Sequence, residues 1–369
     1  MCSRPPFALL LVVAACGTIG TPGGGAQNLP SAGGGPFQAL VKGQVAPQDT
    51  APFVFLAGGQ SYREPSVLSA TGDPSNPGVF MYLVANGSPG DVILRTRADD
   101  SVSFYGDFAD QQMNATHRPP VVLAASQAWE GKNLSGPCAV RVGSEIWLYY
   151  AGDGGIGLAK SGDGKNFTRM PTQVLAVDSG VAWESTAPHA PSVAIFPDGS
   201  WHMLYTAGND IGEATSADGV HWTRVGDPIL VPSPVVDPKT LPEGVNPPFD
   251  EGAVDDPQLA PRIDETGRLV VRVFYTGYDK PVGSASRTGS IGFAGRYGDT
   301  GALSRQPAPA YTAPGATVAG PALFDWNGTP LLYVSQLDIA GTPTFLAIAA
   351  AYDPSTGSPG MPGSFATSP

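Results

Sequence analysis

The sequence predicts an all-β fold, a five-bladed β-propeller with four antiparallel strands per blade. Three observations carry this expectation. A unit with a fixed order of motifs recurs along the chain, each unit contains short strands divided by Gly/Asp turns, and five prolines mark the openings of five such units. Four short strands per repeat joined by turns of this kind are the pattern of a radial β-propeller.

The stretch from Trp183 to Arg224 holds the unit in its fullest form. It opens with Trp183-Glu184 and reaches Ala190-Pro191-Ser192-Val193. After a turn at Pro197-Asp198-Gly199 comes an aromatic strand from Trp201 to Thr206. Ile211 to Thr215 then follows as a third strand, Ser216-Ala217-Asp218-Gly219 as a turn, and His221 to Arg224 as a fourth strand. The same order appears upstream from Trp129-Glu130 through Pro137 to Phe167-Thr168-Arg169, and downstream from Phe249-Asp250 through Pro257 to Gly298-Asp299. In all three copies the aromatic-acid pair precedes the proline by the same spacing. Two eroded copies open at Glu64-Pro65-Ser66-Val67 and Gly320-Pro321-Ala322-Leu323. Pro65, Pro137, Pro191, Pro257 and Pro321 stand roughly 55 to 70 residues apart, beyond the roughly 40 to 50 of WD40 and kelch repeats.

Within each unit the second strand carries aromatics on both faces, as in Trp147-Leu148-Tyr149-Tyr150. This suits a sheet covered on both sides by neighbouring blades. The Ser-x-Asp-Gly turns read as structural: Gly supplies positive φ, while Ser and Asp side chains bond the turn's own backbone. Phe167 and Trp222 are expected at the blade interfaces. The acids of the aromatic-acid pairs, Glu130, Glu184 and Asp250, recur at one register, which suits a hydrogen-bonding post between blades.

The N-terminal segment lies outside this pattern. Arg4 supplies positive charge, Phe7 to Ala15 is an apolar run too short to span a bilayer, and Val13-Ala14-Ala15-Cys16-Gly17 follows. This resembles a bacterial lipoprotein signal over residues 1–16 with Cys16 as the lipidated residue; an ordinary secretory signal with an incidental cysteine is the alternative. The lipoprotein resemblance implies an extracytoplasmic protein held by acyl chains at a bacterial membrane, the outer membrane or cell surface. Residues 17–50, rich in Gly and Pro, read as a flexible tether. Residues 51–354 read as the propeller and 355–369 as a disordered tail. Beyond the signal Cys138 is the single cysteine, so no internal disulfide is expected. It fills the slot held by Ser66 and Ser192 and reads as a small core residue.

With 20 basic against 32 acidic residues, the formal net charge of −12 disfavours nucleic acid as a partner and favours neutral or cationic ligands. A monomer is expected. Chemistry in a propeller belongs where the first strands converge on the axis. The residue before each opening proline is Glu64, Gly136, Ala190, Asp256 and Gly320, and the one before that is Arg63, Ser135, His189, Asp255 and Ala319. Charged groups there cost several kcal/mol each unless paired, so this concentration is notable. The bland explanation is that Arg63 or His189 pairs with an acid to close the channel.

These acid-Pro openings, with Ile-Gly-x-Ala-x-Ser-x-Asp-Gly-x-x-Trp at the third and fourth strands, resemble the five-bladed propeller glycoside hydrolases. The group comprises arabinanases and β-xylosidases, invertases and levansucrases, and mannoside phosphorylase relatives. The resemblance covers about Pro52 to Asp353 and implies a carbohydrate ligand or substrate. In the first two of these groups an aspartate before the first blade's proline, a second in the next blade and a glutamate in the third do the chemistry. Here the first position is Glu64, the second is Gly136 with no carboxylate, and the third falls near His189 or Glu184.

For glycosidic cleavage two carboxyls are needed, about 6.5 to 9.5 Å apart for inversion or about 5 to 5.5 Å for retention. Glu64 as acid and Asp256 as base are the candidate pair, with Asp255 or His189 separating their pKa values. Tyr62, Arg63, Glu184, His189 and Asp255 are the candidate substrate-binding residues. No cofactor is expected, and no spacing marks a dedicated metal site, although His189 and Asp256 offer ligands for a divalent cation in the channel. The competing reading is a glycan- or protein-binding surface lipoprotein without turnover, favoured by loss of the second-blade acid. A sialidase-like enzyme is disfavoured because only Arg63 supplies an arginine at an inner-strand opening.

Overall fold

Aromatic strands cut by Gly/Asp turns fold into antiparallel sheets. The computed structural model describes residues 37–39, 62–71, 78–98, 119–264, 266–313, 315–326, 329–337, 343–353 and 358–359. A short strand β1 (Phe37–Ala39) comes first. The first sheet holds β2 (Tyr62–Ser69), β3 (Val79–Ala85), β4 (Val92–Ala98) and β5 (Val121–Leu123) in that order. The second holds β6 (Ser135–Val142), β7 (Glu145–Gly152) and β8 (Gly155–Ser161), with β9 (Thr168–Arg169) and β10 (Leu175–Ala176) both on the outer edge of β8.

The third runs β11 (His189–Ile195), β12 (Trp201–Ala207), β13 (Asp210–Ser216) and β14 (Thr223–Arg224). The fourth runs β15 (Ala253–Ile263), β16 (Leu269–Tyr278), β17 (Gly289–Tyr297) and β18 (Ser304–Arg305). The last is formed by β19 (Thr317–Trp326), β20 (Thr329–Leu337) and β21 (Pro343–Asp353), whose outer edge takes both β1 and β22 (Ser358–Pro359). The first strands of successive sheets touch in the cyclic order β2, β6, β11, β15, β19 and back to β2. The result is an all-β propeller of antiparallel sheets.

Two boundaries differ from the sequence reading. Residues 37–39 belong to the expected tether yet form β1, because β21 presents an unpaired edge that Phe37, Gln38 and Ala39 fill opposite Ala351, Ala350 and Ala349. Phe37 is buried there, with its ring edge-on to Phe274 at 5.8 Å. Ser358 and Pro359, expected in the tail, pair with Asp353 and Tyr352. The lipidation candidate Cys16 and most of the tether lie outside the described residues. Among the described residues no helix is long and apolar enough to cross a membrane.

The aromatic-acid pairs explain how the sheets hold together. Glu130 accepts from Tyr150 Oη (2.6 Å) and Arg169 Nε (2.9 Å). Glu184 accepts from Tyr205 Oη (2.7 Å) and Arg224 Nε (2.6 Å), and Asp250 from Tyr275 Oη (2.7 Å) and Arg305 Nη1 (2.8 Å). Each arginine also reaches a backbone carbonyl before its own sheet: Arg169 to Ala124, Arg224 to Ala176 and Arg305 to Val231. The aromatic of each pair stacks on the same tyrosine, Trp129 on Tyr150, Trp183 on Tyr205 and Phe249 on Tyr275. In the Ser-x-Asp-Gly turns, Ser161 and Ser216 accept from the backbone of Gly164 and Gly219. The carbonyls of those glycines take Tyr82 and Tyr149 from the preceding sheet.

Candidate functional site

Each inner strand carries one β-bulge at its proline. Between Arg63↔Val84 and Ser66↔Tyr82 the two residues Glu64 and Pro65 face Leu83 alone, and the same two-against-one break recurs at Gly136-Pro137, Ala190-Pro191, Asp256-Pro257 and Gly320-Pro321. The residue before each proline is left-handed: φ is 55° at Glu64, 53° at Gly136, 45° at Ala190, 46° at Asp256 and 61° at Gly320. For the three non-glycines this conformation costs on the order of 1 kcal/mol or more each. In the second, third and fourth sheets the residue opposite the bulge is Tyr150, Tyr205 or Tyr275, the tyrosine that holds the structural acid; in the eroded repeats it is Leu83 or Val334.

The bulges converge. Residues Glu64 to Ser66, Gly136 to Cys138, Ala190 to Ser192, Asp256 to Gln258, Gly320 and Pro321 line a single cleft with a cavity of about 40 Å³. That is room for a few waters, at about 10–15 Å³ for each. Gly136 abuts the third inner strand so closely that a Cβ there would lie 2.7 Å from Ala190 Cα. The acid missing from the second repeat therefore has no space at this position.

Glu64 and Asp256 both reach this cleft, in different surroundings. Glu64 Oε1 accepts from Arg63 Nε (2.9 Å) and Oε2 from the Gly136 backbone N–H (2.6 Å), so it is held as an acceptor-only carboxylate. Arg63 also donates to Asp91 Oδ2 (2.5 Å). Burial disfavours the Arg63 charge, but Glu64 and Asp91 outweigh it and lift its pKa.

Asp256 is half-buried and its Oδ2 accepts from Thr276 Oγ1 at 3.1 Å. Burial, then the charges of Asp255 and Glu64, raise its pKa well above its ordinary value, which favours the acid form. Asp255, buried beside it, goes the other way: burial is outweighed by His189, and its pKa is lowered. His189 Nε2 lies 3.6 Å from Asp255 Oδ1, and Nδ1 lies 3.1 Å from Ala187 O. Burial alone would lower the histidine; its contact with Asp255 lifts it to about 9.

The sequence suggests Glu64 as the acid and Asp256 as the base; of the two, Asp256 is the one whose surroundings favour the acid form. The other candidates divide. Arg63, His189 and Asp255 flank the cleft as paired charges. Tyr62 lies away from the cleft, its ring buried in an apolar cluster with Val79, Leu83 and Leu331. Glu184 is likewise engaged elsewhere, its carboxylate bonded by Tyr205 and Arg224.

Sequence reasoning missed Asp91, Thr276 and Ser335, which donate to or accept from the bulges. Ser335 Oγ accepts from Glu64 N (2.7 Å) and Thr276 Oγ1 from Gly320 N (3.0 Å). Thr276 and Ser335 stand opposite Asp255 and Ala319 on the second strands, and that register is the signal that locates them. Cys138 Sγ accepts from Val193 N (3.2 Å), as Ser66 Oγ accepts from Ala139 N and Ser192 Oγ from Leu259 N. Among the described residues no three His, Cys, Asp or Glu side chains converge in a metal-binding cluster. His189 and Asp256 are not part of one.

The fold and the cleft define a propeller with a polar axial site. No protein-family model matches the sequence, and no curated protein matches it. Solved structures do share the fold. One is a thermostable family-43 glycoside hydrolase, with a TM-score of 0.56 and 13% identity over 81% of this chain and 92% of that one. A second is the endo-arabinase of Bacteroides thetaiotaomicron, at 0.54 and 15% over 82% and 98%. A third, at 0.55 and 14% over 90% and 99%, comes from the GH130 family of mannoside phosphorylases, described as containing glycoside hydrolases that target β-1,2 mannosidic linkages in Candida mannan. At such identities the likeness concerns the fold.

Proposed function

We propose that this chain is a secreted, lipid-anchored, five-bladed propeller that acts on carbohydrate and hydrolyses glycosidic bonds at its axial cleft. One observation carries the reading: carboxyls at homologous bulges of β2 and β15 line one cleft in different surroundings, Glu64 accepting from Arg63 and Gly136 while burial and neighbouring charges raise the pKa of Asp256. Glycoside cleavage needs such a division. Asp256 donates its proton to the leaving oxygen; Glu64 activates water or attacks the anomeric carbon. Burial and the charges of Asp255 and Glu64 favour the acid form of Asp256, against the opposing charge of His189. The fold shared with glycoside hydrolases supports the substrate class.

The test is sugar release from arabinan, xylan, fructan and mannan by the protein, by Glu64→Gln and by Asp256→Asn. Release by the parent, reduced about 100-fold or more in each variant, is expected. Equal release from parent and variants overturns the assignment. Attachment through Cys16 is tested by palmitate labelling of the full chain in a bacterial host, where Cys16→Ala must lose the label.

A second reading, binding without turnover, has its own observation. Both Glu64 oxygens already hold donors and the cleft is smaller than the roughly 300 Å³ of a small-molecule pocket. Retained glycan binding with no release from any polymer selects it.

A further inference from the structure

Arg287 closes the loop between β16 and β17, and nothing in the proposed reaction uses it. Its guanidinium lies 3.8 Å over the ring of Tyr278, the last residue of β16. Nη1 is shielded from solvent and meets no hydrogen-bond acceptor among the described residues. Leaving a guanidinium nitrogen dry and unpartnered is costly. The other cations beside the cleft are compensated, Arg63 by Glu64 and Asp91 and His189 by Asp255.

The loop sits at the end of the sheet that carries the acids. Asp255 pairs with Thr276 and Ala253 with Tyr278, so residues 279–288 leave β16 just beyond Asp255 and Asp256. The charges of Asp256, Asp255 and Glu64 all reach the Tyr278 hydroxyl. Arg287 lies over that same ring.

The loop is also held in place. Thr288 N donates to Asp279 Oδ1 (2.6 Å) and Lys280 Nζ to Ser286 O (3.1 Å). Val282 N reaches Asn209 Oδ1 (3.2 Å) on the third sheet, and Thr317 Oγ1 donates to Arg287 O (3.4 Å) from the last. Ser286 is left-handed at φ 55°, a strained position that aims the next residue. Pinned between neighbouring sheets, the guanidinium is preorganised.

Resting on the carbohydrate reading above, we propose that Arg287 is an oxyanion-binding residue that recognises the carboxylate of a uronic acid unit on the glycan. A guanidinium presents paired donors matched to a carboxylate, and an ion here satisfies the buried Nη1. A chain of net charge −12 repels a polyanion at long range. An otherwise neutral glycan bearing isolated uronates fits better than a polyuronate. The same donors accept free phosphate, so the source of the oxyanion is what an experiment separates.

Binding is measured by calorimetry on the intact chain with three probes: glucuronoxylan oligosaccharides, the same oligosaccharides after carboxyl reduction, and inorganic phosphate. Arg287→Met keeps the stem over Tyr278 and Arg287→Lys keeps the charge; thermal unfolding establishes that both fold. The expected result is binding of the acidic oligosaccharide that weakens at least 10-fold on carboxyl reduction and at least 10-fold in Arg287→Met, with partial recovery in Arg287→Lys. Equal binding of acidic and reduced forms, or no effect of Arg287→Met, overturns the inference and leaves the carbohydrate reading standing. Phosphate binding lost in Arg287→Met, with neither oligosaccharide bound, assigns the oxyanion to free phosphate and overturns the uronate inference, while the carbohydrate reading is decided by the polymer release assay. No binding of any probe overturns the inference.

Discussion

Glu64 Oε2 accepts a hydrogen bond from the backbone N–H of Gly136 at 2.6 Å, joining the bulge of the first inner strand to that of the second. The second bulge thus offers a donor where the first and fourth carry an acid. With a Cβ at Gly136 falling 2.7 Å from Ala190 Cα, the strands here are in backbone contact. Gly136→Ala will lose about 2 kcal/mol from this overlap and from its left-handed φ, read as a lowered urea midpoint. Gly136→Asp, which restores the missing acid, will lose more and gain no activity. A stable, more active Gly136→Asp protein would remove the steric explanation.

Among the described residues the Glu184 carboxylate bonds Tyr205 and Arg224 alone, and its side chain is fully shielded beside an Arg224 that is mostly buried. Glu184→Ala strands that guanidinium and the Tyr205 hydroxyl, at a cost of about 3 kcal/mol. Glu184→Gln keeps an acceptor for Tyr205 and loses less. Glycan binding per folded molecule stays at the parental level in both, which separates a post in the fold from a ligand contact.

His189 gives a pH dependence with a definite sign. Its folded value of about 9 exceeds its ordinary 6.5, so its contribution is complete below about pH 6.5 and is lost as pH rises through about 9. Side-chain exposure of 35% screens the pair, which limits the effect to about 1 kcal/mol. Chemical denaturation across this window should show a decline in the parent that flattens in His189→Gln. Asp256, raised in the same way, adds a decline beginning near pH 4 that Asp256→Asn removes.

Cys138 serves as a hydrogen-bond acceptor. Burial pushes its thiol up to about 11, opposed by its bond with Val193, so native protein at pH 8 should react slowly with a disulfide reagent and quickly once unfolded. Cys138→Ser preserves the acceptor for Val193 N–H and stays within about 1 kcal/mol of the parent, whereas Cys138→Ala loses about 1–3 kcal/mol.

Much of this was legible in one dimension. The five prolines mark the five bulges because each follows a left-handed residue at a fixed place on the inner strand. The fixed offset from Trp183-Glu184 to Pro191 reflects the stacking of Trp183 on Tyr205, opposite that bulge. Protonation states were not legible. They depend on partners that the fold alone brings together: Gly136 lies 72 residues from Glu64 and Asp91 lies 28 from Arg63. Tyr62 adjoins Arg63 in sequence, but successive residues of a strand face opposite sides, and Tyr62 takes the apolar one. The strand β1 left no mark because nothing in Phe37-Gln38-Ala39 alone favours a strand; the free edge of β21 creates it.

That edge makes the last sheet depend on the chain's beginning. Among the described residues β1 and β22 alone pair with the outer edge of β21, and β1 is what meets Ala349 to Ala351 there. A protein cut just after residue 39 would present this strand to any chain able to pair with it, including the same strand of another molecule. Such a truncation should therefore change how many copies associate, and a peptide spanning Phe37 to Ala39 added back in trans should reverse it.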